Sequence, residues 1–156
     1  MSKTPRDSYP SSKEMISRTL KAYAERFGIP LEYFQDYHLF TRKNNVWLCT
    51  KEAGEAALPQ IVRKGLRIAR VFDFTVKPTT NAIQLLGHLV TKNRILLNLK
   101  ESQLFIAGQT QTVEIPDGAS DGFVVAYYDE YALGIGLLKI DVLKSQVPRS
   151  RRLLAY

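Results

Sequence analysis

Residues 123–138 read FVVAYYDEYALGIGLL, two apolar runs on either side of a short polar turn. Valine, phenylalanine and tyrosine are enriched in strands, so this stretch predicts a β-hairpin. Gly134 and Gly136 lie inside the second run. Glycines within a strand indicate a bulge or the close approach of another segment, whereas a phosphate-cradling turn needs its glycines at a strand-to-helix junction. The stretch is therefore predicted to be part of a sheet rather than a nucleotide site.

A basic segment follows the hairpin at residues 144–152, with the sequence KSQVPRSRR. Pro148 restricts its backbone and the apolar Leu153 and Leu154 come directly after it, so we expect the segment to be ordered and to return to the core. The guanidinium group of arginine suits bidentate contacts with phosphate. We expect phosphate contacts from Lys144, Arg149, Arg151 and Arg152.

Charge is segregated along the chain. The 156 residues include 22 Lys and Arg against 15 Asp and Glu, which gives a net charge of +7. Residues 61–100 carry +7 and residues 139–156 carry +4, while residues 101–138 carry −6. If folding brings the two basic segments to one face, a basic stripe results, which is the electrostatic footprint of nucleic-acid binding. Charge alone leaves a merely solvated surface as the alternative.

Length and composition limit the class of protein. With 45% hydrophobic residues, the chain can fold unaided as one domain or as two small modules that share a core. Its single cysteine, Cys49, excludes an internal disulfide and a cysteine-cluster metal site. No apolar run approaches the roughly 20 residues of a membrane span, and the start has no signal-peptide pattern. We expect a cytoplasmic protein without a membrane partner.

The titratable residues give little support for catalysis. His38 and His88 lie far apart, each beside apolar residues, and Cys49 lies in a stretch that predicts a buried strand. Paired carboxylates, a nucleophile elbow and a metal-binding histidine pair are missing from the sequence. We therefore predict that the protein is not an enzyme and uses no cofactor or metal.

The N-terminal part carries clear signals for its first helix. Residues 1–10 are polar, and we expect a flexible leader there. A helix is predicted to begin after Ser11, because Ser11 and Glu14 have the spacing of a capping box, and to end at Gly28, a stop signal. Its apolar residues recur at helical spacing up to Phe27.

Strands and short helices are predicted between residues 37 and 90. Asn44 and Asn45 tolerate the left-handed conformation of a tight turn and predict a hairpin there. Residues 52–60 are a short helix candidate. Residues 66–74 predict a half-buried strand, with Leu66, Ile68, Phe72 and Phe74 on its apolar face. Arg70 breaks this alternation. A further helix is predicted from the Pro-Thr-Thr sequence at 78–80 to about Val90.

The second half begins with a strand from Arg94, followed by a helix that Asn98 and Glu101 cap and Gly108 ends. A strand at residues 110–115 then precedes the hairpin. This order of strand, helix and several strands indicates an α+β protein with a small mixed sheet or barrel.

Three tyrosines of the hairpin are candidate stacking surfaces for unpaired bases: Tyr127, Tyr128 and Tyr131. Because side chains alternate along a strand, one of the first two should face the core.

The elements of the second half resemble a PUA domain, a compact pseudo-barrel that binds structured RNA. The resemblance rests on Arg94-Ile-Leu-Leu-Asn-Leu99, Phe105-Ile-Ala-Gly108, Ile115-Pro-Asp-Gly118 and the hairpin at 123–136. The ending at 143–152 is similar to the C-terminal signature of the RNA-binding part of Fmu/Sun-type ribosomal RNA cytosine-C5 methyltransferases, and most similar to stand-alone prokaryotic relatives of that part, which are ribosome-biogenesis proteins. Residues 23–30 and 64–70 extend the resemblance into the module that precedes PUA in such proteins.

The resemblance implies where RNA lies. It would contact the loop after the short helix, at Gly108, Gln109 and Thr110, together with the last strands and the tail. The methyltransferase catalytic module is absent from the sequence, with neither its cofactor-binding glycines nor its Pro-Cys motifs. The resemblance therefore does not imply methylation by this chain.

We accordingly predict an α+β fold in which an N-terminal pre-PUA α/β module at residues 11–91 is followed by a PUA-like mixed β pseudo-barrel at residues 92–156. The predicted function is non-catalytic binding of structured rRNA or tRNA in RNA modification or ribosome biogenesis. Arg67, Arg70 and Lys77 would contact backbone phosphate from one side, and the basic segment from the other. The alternative is a protein-interaction subunit that docks a separate RNA-modifying enzyme through the acidic residues 101–138.

Overall fold

A computed structural model describes residues 10–55, 65–73 and 75–153. The helices are α1 (Ser12–Phe27), α2 (Lys51–Glu55), α3 (Thr80–Leu86) and α4 (Leu99–Ile106), with 3₁₀ turns at Leu31–Asp36, Gly87–Leu89 and Arg149–Arg151. The strands are β1 (Tyr37–Arg42), β2 (Asn45–Thr50), β3 (Leu66–Phe72), β4 (Thr75–Pro78), β5 (Arg94–Leu97), β6 (Thr110–Thr112), β7 (Gly122–Tyr128), β8 (Tyr131–Lys139) and β9 (Val142–Ser145).

The strands form two sheets. The first is an antiparallel meander in the order β1-β2-β3-β4. The second has the order β5-β7-β8-β9-β6, in which β5 runs parallel to β7 and the other pairs are antiparallel. The second sheet is mixed and curls into a half-barrel, so the predicted α+β class with a PUA-like pseudo-barrel is confirmed.

The first helix has the predicted bounds, with a difference at its start. Ser11 Oγ accepts a hydrogen bond from the Glu14 amide at 3.2 Å. The Glu14 carboxylate pairs with Arg18 at 2.6 Å instead of returning to the Ser11 amide, so only half of the predicted capping box forms. At the other end Gly28 adopts a φ of 70°, the left-handed cap for which glycine is suited.

The hairpin between β1 and β2 is confirmed, but the residue with left-handed backbone in its turn is not an asparagine. The two-residue turn is Lys43-Asn44, and Lys43 has the positive φ of 56° that was predicted for an asparagine. Asn45 is already the first residue of β2 and pairs with Arg42. A two-residue loop needs left-handed backbone at its first central position whatever residue stands there.

A bulge explains why Arg70 breaks the apolar alternation of its strand. Val46 pairs with Ala69 and Trp47 pairs with Arg67, so Ile68 is an extra residue on β3. A bulge of this kind shifts the inward and outward alternation by one position. Ile68, Ala69 and Val71 are buried while Arg67, Arg70 and Phe72 are exposed. The prediction that Phe72 faces the core is therefore wrong, and Phe74 lies outside the described residues.

The remaining elements lie where their sequence signals predict them, but α3 ends at Leu86 instead of about Val90, and β6 ends at Thr112 instead of residue 115. Helix α2 covers the first part of the candidate at 52–60, and the rest of that candidate and the leader at 1–9 lie outside the described residues. Asn98 and Glu101 form a complete capping box at α4. A Cβ at Gly136 would lie 2.5 Å from Leu143, so a glycine there permits the predicted close approach.

Among the described residues there are two buried hydrophobic clusters, and one of them spans both sheets. Tyr23 and Ile68 belong to the same buried cluster as Val125 and Tyr127 of the second sheet. The buried tyrosine hydroxyls are satisfied, since Tyr23 donates to the Ile68 carbonyl and Tyr127 to the Gly87 carbonyl, each at 2.6 Å. The core thus crosses the boundary predicted at residue 91, and the two halves pack as one body around it.

The turn between β8 and β9 contains a strained residue. Ile140 has a φ of 61° and its side chain is 75% exposed. Left-handed backbone costs a residue with a Cβ about 1 to 2 kcal/mol. We expect Ile140→Gly to raise the free energy of unfolding by about 1 kcal/mol in urea denaturation, because little packing is lost. Ile140→Ala keeps the Cβ and should stay closer to the parent; a glycine variant less stable than the parent would contradict the assignment.

Candidate nucleic-acid interface

The loop after α4 is fixed by hydrogen bonds at the end of that helix. The Gly108 amide donates to the Phe105 carbonyl at 3.0 Å and the Gln109 amide to the Leu104 carbonyl at 2.9 Å. Gly108 has a φ of 84°, a conformation that favours glycine. The loop therefore turns the chain from α4 into β6 within three residues.

Strand pairing places this loop beside the basic segment. Thr110 is the direct cross-strand partner of Lys144 in the β6–β9 pair. The adjacent Ser145 hydroxyl donates to the Phe105 carbonyl at 2.7 Å, which attaches β9 to the end of α4. Thr110, Gln109 and Lys144 are all exposed.

The tail folds back over the same loop. The Arg152 side chain lies so close to Gly108 that an added Cβ would be 2.3 Å from its Nε. Arg152 Nε donates to the Val147 carbonyl at 3.0 Å, and the Leu153 amide donates to the Ile106 carbonyl at 3.2 Å. We call the group Gly108, Gln109, Thr110, Lys144, Arg149 and Arg152 the tail surface.

Arg151 has a different role from its neighbours. Its guanidinium contacts Asn81 and donates to Gln84 Oε1 at 2.6 Å, both on α3. Arg149, two residues earlier, is exposed. Arg151 therefore joins the tail to α3, whereas the exposed Arg149 faces solvent.

The other predicted cations lie on the first sheet. Arg70 and Lys77 are direct cross-strand partners in the β3–β4 pair, and Arg67 lies on the same outward face because of the bulge. The Arg67 carbonyl accepts from Thr79 Oγ1 at 2.6 Å, and Thr79 caps α3. The Arg67 carbonyl is thus bonded to the N-cap residue of α3, the same helix that binds the Arg151 side chain. In the described ranges no hydrogen bond or ion pair links Arg70 or Lys77 to the tail.

Sequence reasoning missed several residues of this region. Arg42 and Asn45 continue the row of Arg70 and Lys77 across β1 and β2, and Phe72 packs under Arg70 with the guanidinium carbon 5.1 Å from the ring centroid. These residues lie together because of the pairing register of β1 with β2 and of β2 with β3. The predicted hairpin has Asn45 in its turn and so does not include the Arg42–Asn45 pair, and the signal for the bulge was only the broken alternation.

As predicted, one of the two consecutive tyrosines of β7 faces the core and the other faces solvent. Tyr127 is buried and Tyr128 is exposed at the end of the same strand, opposite the exposed Tyr131. Burial raises the pKa of Tyr127, and Arg94, whose guanidinium carbon lies 4.4 Å from the ring centroid, partly opposes the rise. Two tyrosines at the hairpin tip therefore remain available for stacking, beside the acidic Asp129 and Glu130.

A cleft of about 520 Å³ lies along the exposed edge of β5. Its lining carries both signs of charge, from Lys92, Arg94, Glu114 and Asp117. Among the described residues there is no cluster of three or more histidine, cysteine or acidic side chains that could hold a metal ion. Within the same ranges, no helix has the length and apolar character needed to cross a membrane.

Comparison with known proteins identifies the C-terminal part of the chain. Residues 92–153 match the family model described as the methyltransferase RsmF PUA domain. The match includes the Gly108 loop, β9 and the tail. No curated protein matches the chain. The interpretation of residues 11–91 as a pre-PUA module remains a prediction.

Proposed function

We propose that this chain, whose residues 92–153 are a PUA domain related to the C-terminal part of Fmu/Sun-type methyltransferases, is a non-catalytic protein that binds structured rRNA or tRNA. A PUA domain indicates RNA binding in a methyltransferase-related setting. Participation in RNA modification or ribosome biogenesis is part of the proposal.

The observation that carries the proposal is the tail surface. The loop and the basic segment, some 35 residues apart in sequence, were predicted separately as RNA contacts and meet through the Thr110–Lys144 pair and the Gly108–Arg152 contact. Exposed Lys144, Arg149 and Arg152 supply charge for phosphates, which fix position. The ordered loop beside them offers backbone and polar groups for base contacts.

The acidic residues 101–138 support the alternative of a docking subunit for a separate RNA-modifying enzyme. Asp129 and Glu130 lie at an exposed hairpin tip between Tyr128 and Tyr131. Such a tip suits a basic protein partner, because it combines aromatic area with negative charge. Binding of RNA by the isolated chain separates the two functions, since the docking subunit alone needs none.

Fluorescence anisotropy with a structured RNA hairpin tests the proposal. We expect binding that weakens with salt. We expect Lys144→Ala/Arg149→Ala to lower affinity about tenfold and to reduce the log–log salt slope by about 1.4 to 1.8, or about 0.7 to 0.9 for each lost phosphate contact.

The matched control is Lys13→Ala/Lys21→Ala, which removes two exposed lysines of α1 and should bind like the parent. If the Lys144/Arg149 variant binds as tightly as the parent, the tail surface is not the RNA site. Transfer of methyl groups from a methyl donor to RNA by the isolated chain would contradict the non-catalytic role.

A further inference from the structure

The outward face of the first sheet carries a row of polar side chains across its four strands, and three of the four residues in the row are cationic. Strand register aligns Arg42 with Asn45, Asn45 with Arg70, and Arg70 with Lys77. Neighbouring strands are about 4.8 Å apart, so the row extends over roughly 14 Å. Arg42 and Arg70 are exposed, and Lys77 is half-buried.

Aromatic side chains lie next to this row on the same face. Phe40 stacks on Trp47 with ring centroids 6.3 Å apart and planes inclined by 12°. Trp47 is the cross-strand partner of Arg67. Phe72, 42% exposed, lies under the Arg70 guanidinium. We call this surface, made of Arg42, Asn45, Arg67, Arg70, Lys77, Phe40, Trp47 and Phe72, the sheet face.

The other side of the sheet is closed by the core. Val46 and Leu48 point inward and pack in the same buried cluster as Tyr23 of α1. On the sheet face, Asn45 Oδ1 and Trp47 Nε1 are buried yet have no hydrogen-bond partner in the described structure. Unpaired buried polar atoms are uncommon and destabilising. Because these two atoms are covered, the part of the sheet face that a ligand can reach is formed by the exposed Arg42, Arg70 and Phe72, while the core occupies the apolar side of the sheet.

These features fit one class of ligand. Positive charge along a row attracts a sugar-phosphate backbone, and flat aromatic or guanidinium groups beside it stack on bases that are not paired. Bases inside a duplex are already stacked on each other, so only a single strand uses both features. An acidic peptide would use the cations but would leave Phe72 and the Arg70 plane without a flat partner.

We propose that the sheet face binds a single-stranded segment of RNA, as a second contact surface beside the tail surface. Phosphates lie along Arg42, Arg70 and Lys77, and bases stack on Phe72 and the Arg70 guanidinium. This inference rests on the proposed RNA-binding function and adds to it the recognition of unpaired nucleotides next to a structured region.

The single tryptophan of the chain reports on this surface directly. Trp47 is the only tryptophan, and a base that binds on the sheet face should quench its fluorescence. We expect short unstructured oligoadenylate and oligouridylate to quench it in a salt-sensitive way. Arg42→Ala/Arg70→Ala should weaken the binding at least tenfold and reduce the salt slope by about 1.4. Phe72→Ala should weaken it about tenfold with an unchanged slope, because stacking carries no charge.

Two comparisons make the outcome decisive. Lys13→Ala/Lys21→Ala removes the same charge from α1, beyond the apolar side of the sheet, and should bind like the parent. If the oligonucleotides do not bind, or bind the Arg42/Arg70 variant as tightly as the parent, the sheet face is not an RNA surface. A blunt RNA hairpin measured in parallel separates this failure from that of the proposed function, because the hairpin should still bind through the tail surface; loss of both removes both proposals.

Discussion

Replacing Asn93 with leucine should lower the free energy of unfolding by about 3 kcal/mol, because it combines a conformational cost of about 1 to 2 kcal/mol with the loss of buried hydrogen bonds. Asn93 is only 7% exposed and has a φ of 55°. Its Nδ2 donates to the Arg26 carbonyl at 2.6 Å, and its Oδ1 accepts from the Ser120 amide at 2.9 Å. Leucine at this position makes neither bond and resists left-handed backbone. Urea denaturation followed by circular dichroism measures the change.

A series of substitutions separates the two costs. Asn93→Gly keeps the backbone conformation and loses both hydrogen bonds, whereas Asn93→Asp keeps the conformation and the acceptor but loses the donor. We expect stability to decrease in the order parent, glycine, leucine, and we expect aspartate to be less stable than the parent because its carboxylate would lie against the Arg26 carbonyl. A leucine variant within about 0.5 kcal/mol of the parent, the range of an ordinary surface substitution, would show that this side chain does not hold the structure together.

The reason for so large an effect is the position of Asn93 between the two sheets. Arg26 of α1 donates from Nε to the Phe123 carbonyl at 2.7 Å and from Nη1 to the Ser120 hydroxyl at 2.6 Å. Burial lowers the pKa of Arg26, and nearby Asp121 opposes the shift. Asn93 connects the same two segments through its side chain. The relative position of the sheet face and the tail surface therefore depends on a small buried polar network.

Local signals made much of the fold predictable. Ser11, Gly28 and Asn98 act on backbone groups within a few residues, so a capping signal contains almost all the information about the helix end it specifies. The burial of Tyr127 and exposure of Tyr128 follow in the same way from the two-residue period of a strand. The difference at Lys43 is small, because the turn was located correctly and only its strained residue was not.

Such local signals do not predict contacts between segments that are distant in the sequence. The parallel pairing of β5 with β7 and the bulge at Ile68 depend on which strands meet, and the bulge alone decides that Phe72 faces outward. The attachment of Arg151 to Asn81 and Gln84 joins residues about 70 apart. Exposed arginines in a sequence indicate charge, but tertiary packing decides which of them is free to meet a ligand and which one holds the tail in place.

Gly108→Ala should lower the affinity for a structured RNA hairpin about tenfold, comparable with the loss of a well-placed contact of about 1.4 kcal/mol. A Cβ at this position would meet Nε, Cδ and Cζ of Arg152 at 2.3 to 2.7 Å. The guanidinium must then leave its place over the loop and break its bond to the Val147 carbonyl. Anisotropy titration of the variant against the parent measures the loss.

The chain supplies a matched control for the backbone cost. Gly118 has a φ of 86°, close to the 84° of Gly108, but an added Cβ there has nothing within 4 Å. Gly118→Ala therefore introduces the same strain without the clash, and it should lose similar stability while it keeps the affinity of the parent. Equal losses of affinity in the two alanine variants would mean that strain, and not Arg152, is responsible.

A double-mutant cycle completes the test, because residues in contact give non-additive effects. If Gly108→Ala acts by displacing Arg152, it should cost little further affinity once Arg152→Ala is present, and the double variant should bind about as weakly as either single variant. Additive losses would show that the loop and the guanidinium contribute separately. The same cycle with Gly118→Ala should be additive, since no contact joins Gly118 to Arg152 in the described part of the chain.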